Sequence, residues 1–157
     1  MAIKPVPDGY HTVTPYLFIR GAAGAIEFYK KAFGATELMR MPTLDGNIGH
    51  AEIKIGDSVI MLADEYPDMG FSSPATVGGS TVGIVLYVED VDTRFNRAIA
   101  AGGKAIKPLE DQFYGDRTGT LLDPFGHIWT ISTHKEDLSP EELQKRAAAY
   151  EKKQSGG

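Results

Sequence analysis

The first part of the chain contains several segments with the hydrophobic pattern of β-strands and one segment with the pattern of an amphipathic helix. Residues 12–19 are β-branched and aromatic and predict a strand. Residues 22–33 carry apolar side chains at i, i+4, i+7 and i+11, which predicts an amphipathic helix that stops at Gly34. A second strand is predicted over 36–41, and 48–63 has the pattern of two further strands.

The segment 48–63 contains Gly56-Asp57, a dipeptide typical of the two-residue turn of a β-hairpin. This turn sets the register of the hairpin, with Ile53 opposite Ile60 and Glu52 opposite Met61. One face is then apolar and must cover a helix; it carries Ala51, Ile53, Ile55, Ile60 and Leu62. The other face is mixed and carries His50, Glu52, Val59, Met61 and Ala63.

The same order of elements recurs after a segment of different composition. Residues 65–80 are rich in proline, glycine and serine and predict a linker or a mobile loop, a possible lid. The elements predicted after it are a strand over 81–88, a helix from Asp90 or Asp92 to about Ala101, a short strand over 104–107, and a hairpin made of 117–122 and 127–133.

The two halves of the sequence align at a constant offset of 69 positions. The aligned pairs are Val13 with Val82, Leu17 with Leu86, Ile19 with Val88, Gly34 with Gly103, Ile53 with Leu122, Ile60 with Trp129, and Leu62 with Ile131. Because strand, helix stop and hairpin coincide together, we interpret the chain as a duplicated module. One domain over 1–157 is expected, with module one at about 10–65, a linker at 66–80 and module two at about 81–134.

The tail of the sequence predicts a separate helix. Ser139-Pro140-Glu141-Glu142 is a capping box with proline at the first helical position, and the helix is expected over 139–153. This helix is charged on most sides, which favours a solvated helix packed lightly on the domain. A role in dimer contacts is the alternative.

Composition narrows the classes of partner. The net charge of the 157 residues is −5, which argues against nucleic acid as the main partner because phosphate binding needs a basic surface. There are no cysteines, so disulfides, thiolate metal sites and a cysteine nucleophile are excluded. The sequence has no apolar run of the ~20 residues that a membrane helix needs and no secretory signal, so no membrane partner and a cytoplasmic location are expected.

Mixed faces recur on the strands that match across the duplication. Their members are Thr12, Thr14, Tyr16 and Phe18 on the first strand, Thr81, Gly83, Val85 and Tyr87 on the fifth, and Ile128, Thr130 and Ser132 on the eighth. Aromatic rings such as Tyr16, Phe18 and Tyr87 are unusual on a fully solvated face. Two modules that curl such faces toward each other would form a small-molecule cleft, apolar with a few polar groups.

Several short strings resemble the vicinal oxygen chelate superfamily, which includes glyoxalase I, extradiol dioxygenases and bleomycin-resistance proteins. The strings are Ala25-Ile26-Glu27-Phe28-Tyr29, Phe33-Gly34-Ala35 and Asp123-Pro124-Phe125-Gly126-His127. Further strings are similar to the PhnB-like subgroup: His50-Ala51-Glu52-Ile53, Gly56-Asp57-Ser58, Leu62-Ala63-Asp64-Glu65 and Gly115-Asp116-Arg117. The resemblance implies an α+β fold of two tandem βαβββ modules, a curved mixed sheet around a cleft, a C-terminal helix and a homodimer.

Metal enzymes of this superfamily take ligands from the first, fourth, fifth and eighth strands, with His or Gln, Glu, His and Glu as the usual set. The residues at the matching positions are Thr14, Met61, Gly83 and Thr130. None of the four is a good ligand for a divalent cation. The resemblance therefore implies a member without the usual metal, and no cofactor is expected.

His50 and Glu52 are the main candidates for chemistry, and three interpretations remain open for them. They could bind or act on a ligand, with Glu52 as acid or base and His50 as its partner. They could be a structural pair that lines a cavity. They could also supply two ligands of a relocated divalent metal, although a tight site needs three or four.

The other candidate ligand-binding residues are Thr14, Tyr16, Phe18, Met61, Tyr87, Arg117 and Thr130. The aromatic rings could stack on a planar ligand, and Arg117 could reach an anionic group or form a loop-stabilising ion pair. We expect a binder of a small, partly apolar molecule in the manner of bleomycin-resistance proteins. The alternative is an enzyme in which Glu52 and His50 perform acid–base chemistry or hold a relocated metal.

Overall fold

Each half of the chain folds into a four-stranded sheet with one long helix against one side, in a computed structural model that describes residues 2–156. Met1 and Gly157, the ends of the expected domain, lie outside the described residues. The first module consists of β1 (Tyr16–Ile19), α1 (Ala22–Phe33), β2 (Thr36–Pro42), β3 (Ile48–Ile55) and β4 (Ser58–Asp64). A 3₁₀ turn (Pro67–Met69) and α2 (Pro74–Val77) follow. The second module consists of β5 (Gly83–Tyr87), α3 (Val91–Ala100), β6 (Lys104–Asp111), β7 (Asp116–Leu122) and β8 (Ile128–His134), and α4 (Pro140–Ser155) ends the chain.

The two sheets have the same topology, with strand orders β1-β4-β3-β2 and β5-β8-β7-β6. In each sheet the first and last strands of the module pair in parallel, and the remaining pairs are antiparallel. The predicted duplication and α+β class are thus confirmed. The predicted register of the first hairpin is also confirmed, because Ile53 pairs with Ile60 and Glu52 with Met61.

The duplication is shifted by one residue on one strand. Met61 pairs with Tyr16 as Thr130 pairs with Val85, so the 69-residue offset holds for those strands. Ile60, however, pairs with Ile53, whereas its counterpart Trp129 pairs with Leu121. The predicted equivalence of Ile53 with Leu122 is therefore wrong, and the offset from β3 to β7 is 68.

The physical reason for this shift lies in the second hairpin connection. Residues 123–127 join β7 to β8, where Gly56-Asp57 suffices in the first module. A one-residue slip reverses the face of every side chain, so the apolar residue Leu121, which is fully buried, takes the helix-facing position instead of Leu122. His50 and Glu52 accordingly correspond to Thr118 and Thr120 of β7.

One hydrophobic core joins the two modules. Helices α1 and α3 pack against each other, and Trp129 of the second sheet contacts Tyr29 and Phe33 of α1. The helix-facing side chains of both sheets belong to this core, among them the fully buried Ile53 and Ile131. Because successive strand residues alternate between faces, the mixed faces lie on the outer sides of the two sheets. They do not meet within one chain.

The segment predicted as a linker or mobile loop has its own short helices and specific contacts. Glu65 accepts hydrogen bonds from the backbone N–H of Ser73, the hydroxyl of Thr76 and the guanidinium of Arg20. Ser73 is fully buried and caps α2, and Pro74 lies against Gly126 of the second module. This segment is part of the packed structure because the carboxylate of Glu65 and the hydroxyl of Ser73 accept hydrogen bonds from its backbone N–H groups.

The remaining boundaries differ little from the sequence prediction. The first strand begins at Tyr16 rather than at residue 12, since Pro15 has no N–H to donate to a ladder. The strand predicted over 104–107 continues to Asp111. Ser139 caps α4 by accepting from the N–H of Glu142, as the capping box predicts. Within residues 2–156, no helix is both long and apolar enough to cross a membrane.

Candidate functional site

The mixed face of the first sheet carries a continuous chain of hydrogen-bonded side chains, which we call the polar chain (Tyr10, Glu52, His50 and Tyr16). The hydroxyl of Tyr10 donates a hydrogen bond to Oε1 of Glu52. Oε2 of Glu52 lies 2.8 Å from Nε2 of His50, and Nδ1 of His50 lies 2.9 Å from the hydroxyl of Tyr16. The two residues predicted to carry chemistry are therefore in contact and are linked to a third predicted residue, Tyr16.

Strand register brings these side chains together. β4 lies between β1 and β3, and Met61 is paired with Tyr16 on one side and with Glu52 on the other. Tyr16, Met61 and Glu52 therefore form a row across the sheet on one face. His50 lies two residues from Glu52 on the same face, within reach of the Tyr16 hydroxyl at the strand edge.

Hydrogen bonds control the charge of the polar chain. The hydroxyl of Tyr10, and then the ring of His50, hold the pKa of Glu52 below its usual value, so this carboxyl is ionised at neutral pH. The pKa of Tyr16 is raised, first by burial and then by the charge of Glu52. Tyr10 also has a raised pKa because its hydroxyl donates a hydrogen bond to the carboxylate of Glu52. Both phenols are neutral at physiological pH.

A cavity of about 990 Å³ opens beside the polar chain. Its wall includes Tyr16, Phe18 and Phe71, which we call the aromatic row. The ring centroids of Tyr16 and Phe18 are 5.2 Å apart, and those of Phe18 and Phe71 are 4.9 Å apart. The successive ring planes are tilted by 33° and 31°, and an aromatic ring of a bound molecule can pack against them. Leu44, Tyr66 and Met69 complete the apolar lining, and all three are exposed to solvent.

Two carboxylates at the cavity are bonded to the protein backbone or to neighbouring side chains. Asp64 accepts from the backbone N–H groups of Gly21 and Ala22 at the start of α1, and from the N–H of Ile48. Glu65 holds the α2 segment. Their roles are accounted for by the fold.

Three of the predicted ligand-binding residues, Thr14, Tyr87 and Thr130, lie away from the cavity beside the polar chain. Tyr87 and Thr130 are on the mixed face of the second sheet, where Tyr87 donates to Asp116 and Thr130 shares a hydrogen bond with Thr120. Tyr87 and Thr14 line a different cavity, of about 790 Å³, between the modules. None of these three side chains belongs to the polar chain.

Arg117 lies away from the polar chain and forms ion pairs, which was one of its two interpretations. It lies on the helix-facing side of β7, where Nε donates to Asp92 at 2.8 Å and Nη1 to Asp111 at 3.3 Å. The reason is the register of β7, which places Asp116 and not Arg117 on the mixed face. Arg117 forms structural ion pairs, and Asp116 instead accepts from Tyr87 and contacts His134.

The residues at the superfamily's metal positions do not fit a metal. Gly83 has no side chain, Met61 offers a thioether, and the hydroxyl of Thr130 is bonded to Thr120. His50 and Glu52 fit no better, because both ring nitrogens and both carboxylate oxygens are already in hydrogen bonds. No group of three or more histidine, aspartate or glutamate side chains suited to a metal occurs in the part of the chain that the structure describes.

Sequence reasoning missed Tyr10 and Phe71. Each comes from a segment without strand periodicity, so no face could be assigned to it from the sequence. The only signal was residue type, an aromatic ring in a segment rich in proline, glycine and polar residues. Their positions depend on how the segment before β1 and the segment after β4 fold back over the sheet.

Comparison with known proteins gives the family. Residues 10–131 match the model of the Glyoxalase/Bleomycin resistance protein/Dioxygenase superfamily. A Mycobacterium tuberculosis protein, Rv0887c, is 43% identical over 92% of this chain and 84% of its own. The solved structure of At5g48480 from Arabidopsis thaliana is 27% identical, with a TM-score of 0.64 over 78% of this chain and 98% of that chain. The PhnB protein from Bacillus cereus, 21% identical with a TM-score of 0.62 over 78% of this chain and 99% of that one, shares the fold. The chain therefore belongs to the glyoxalase/bleomycin resistance protein/dioxygenase superfamily.

Proposed function

We propose that this protein binds a small, partly apolar and planar molecule on the mixed face of its first sheet, without a metal ion. The observation that carries the proposal is the cavity of about 990 Å³ with the aromatic row along its wall. A site of this size, apolar with a few fixed polar groups at one end, has the properties of small-molecule sites in general. The polar end is Tyr16 with His50 behind it.

The proposal includes a homodimer. The mixed faces are on the outer sides of the two sheets, and the second one exposes large apolar side chains: Tyr87 is 67% exposed and Val85 54%. A second copy that places its second sheet over the first sheet of its partner would bury these side chains and close the cavity. Sedimentation or light scattering tests this part, and a monomer at micromolar concentration would contradict it. A cytoplasmic location is proposed as well and is tested by cell fractionation.

The binding experiment uses the fluorescence of 8-anilinonaphthalene-1-sulfonate, an aromatic sulfonate that brightens in apolar sites, with competition by the planar and uncharged 4-nitroanisole. Phe71→Ala removes one ring of the aromatic row, and we expect about tenfold weaker binding, the effect of a lost stacking contact of about 1.4 kcal/mol. Phe113→Ala is the matched control, since Phe113 packs against Tyr114 and Tyr150 on the second module. Equal loss of binding in both variants, or none in either, would contradict a site at the aromatic row.

A second function, acid–base chemistry on the bound molecule, is favoured by one observation, the polar chain itself. A carboxylate bonded to an imidazole that is bonded in turn to a hydroxyl is the arrangement by which proteins move a proton at a defined atom. A relocated metal is not part of the proposal, because the ring nitrogens of His50 and the carboxylate oxygens of Glu52 already form hydrogen bonds.

A further inference from the structure

Tyr16 belongs to two features at once. Its ring is the first member of the aromatic row and lines the cavity, and its hydroxyl is the last group of the polar chain. The residue is 38% exposed, and it is the one member of the polar chain among the residues that line the cavity. A molecule that packs along Phe18 and Phe71 lies beside Tyr16, whose ring centroid is 5.2 Å from that of Phe18.

Proton positions along the polar chain follow from its two ends. Glu52 is ionised and can only accept, so Nε2 of His50 carries a proton and donates it to Oε2. With a single ring proton placed on Nε2, Nδ1 keeps its lone pair, and the hydroxyl of Tyr16 donates to it. The oxygen of Tyr16 therefore presents lone pairs, and no proton, to the cavity. It can accept from a ligand but has no proton left to donate.

We propose that Tyr16 is a proton acceptor for a weakly acidic hydroxyl on the bound molecule, such as that of a phenol or an enol. This inference rests on the proposed binding function and specifies the class of ligand. Stacking on the aromatic row selects a planar molecule, and the lone pairs of Tyr16 select a hydroxyl at its edge.

The transfer balances in protons and charge. The ligand hydroxyl gives its proton to the oxygen of Tyr16, and the original proton of Tyr16 moves to Nδ1 of His50. The products are the ligand anion and an imidazolium, whose charge is balanced by Glu52 at 2.8 Å. Tyr16 ends as a neutral phenol that donates to the ligand anion. No oxidant or other reactant is needed.

The inference is tested with 4-nitrophenol, whose absorption spectrum distinguishes phenol from phenolate, and with 4-nitroanisole, which has no ionisable proton. At a pH below the pKa of free 4-nitrophenol, we expect the phenolate-to-phenol ratio to rise about tenfold on binding, equivalent to one pKa unit. Tyr16→Phe keeps the ring, and His50→Gln removes the base. We expect both variants to bind 4-nitroanisole as tightly as the unmodified protein does. In both variants, bound 4-nitrophenol should have the same phenolate-to-phenol ratio as in free solution. Tyr150→Phe, which removes a hydroxyl on α4 outside the cavity, should leave both the binding and the ionisation intact.

The outcomes separate the two proposals. Binding of both probes with 4-nitrophenol still neutral overturns the proton acceptor and leaves the binding function standing. Ionisation that persists in Tyr16→Phe also overturns it, because the proton would then pass by another route. Failure of both probes to bind overturns the site, and the proton acceptor with it.

Discussion

The hydroxyl of Tyr29 donates a hydrogen bond of 2.5 Å to Oδ2 of Asp123 and so joins the helix of the first module to the last hairpin of the second. Both residues are buried, and the indole N–H of Trp129 donates to the same oxygen at 2.9 Å. The other oxygen of Asp123 accepts from the backbone N–H groups of Phe125 and His127. One buried carboxylate thus fixes the hairpin connection and its contact with α1.

Removal of the Tyr29 hydroxyl should weaken this contact. We expect Tyr29→Phe to lower the free energy of unfolding by about 1.5–3 kcal/mol, because a buried carboxylate loses one charged hydrogen bond. Urea denaturation followed by tryptophan fluorescence measures the change, since Trp129 is the only tryptophan. Tyr150→Phe, on an exposed ring of α4, is the control and should change little. An unchanged midpoint in Tyr29→Phe would show that this bond does not hold the modules together.

Gly126 is expected to tolerate no side chain. Its φ is +94°, and an added Cβ would lie 2.6 Å from Cβ of Pro74 in α2. Gly46→Ala is the matched control, because its φ is +88° and nothing lies within 4 Å of the added Cβ. Both variants carry the backbone cost of about 1–2 kcal/mol, and Gly126→Ala should lose more stability than Gly46→Ala.

The displaced contact can be observed separately from stability. Gly126→Ala should expose the segment 66–80 to chymotrypsin, which cleaves after Phe71 and more slowly after Met69, whereas Gly46→Ala should not. Equal cleavage of the two variants would mean that Pro74 does not hold the segment against the second module.

Acid should destabilise the α2 segment through Glu65. The hydroxyl of Thr76 and the N–H of Ser73 lower the pKa of Glu65 from 4.5 to about 2. Its folded-state pKa is depressed, so its contribution to stability is complete above pH 4.5 and is lost as the pH falls toward 2. Glu65→Gln should be less stable at pH 7 and show a smaller loss of stability between pH 5 and 3 than the unmodified protein. The exposed Glu110→Gln is the control, and a parallel pH dependence in Glu65→Gln would contradict the assignment.

The end of β8 should respond in the opposite direction. Asp137, and then Asp116, raise the pKa of His134 above 6.5, with ring nitrogens 2.7 Å from each carboxylate. The stabilising contribution of protonated His134 is therefore present below pH 6.5 and is lost as the pH rises through the raised value. NMR titration of His134 measures this pKa, and Asp137→Asn should lower it. The exposed Asp68→Asn should have no effect, and an equal shift in both variants would refute the pairing.

The fold of the first module could be predicted from the sequence because its signals are local. A two-residue turn fixes the register of a hairpin, and alternation then assigns every side chain to a face. The second hairpin has five residues between its paired strands, and such a connection does not fix the register. The offset slipped there by one residue, and no face could be assigned to Arg117 for the same reason.

The candidate site could be predicted in part. His50 and Glu52 were found because residues two apart on a strand share a face, and Tyr16 because a phenol is unusual on a solvated face. The hydrogen bonds among them depend on the pairing of β1 with β4, which the hairpin pattern does not give. Tyr10 and Phe71 reach the site from irregular segments, so their positions can be seen only in the folded chain.

The correspondence of β3 with β7 supplies an internal control for the polar chain. Where the first module has His50 and Glu52, the second has Thr118 and Thr120, in a sheet of the same order and the same pairing. The architecture therefore accepts two threonines at these positions and does not require an imidazole or a carboxylate. At these two positions one module carries neutral hydroxyls where the other carries a base and an acid, and exchanging the residues between the modules separates what the sheet needs from what the polar chain adds.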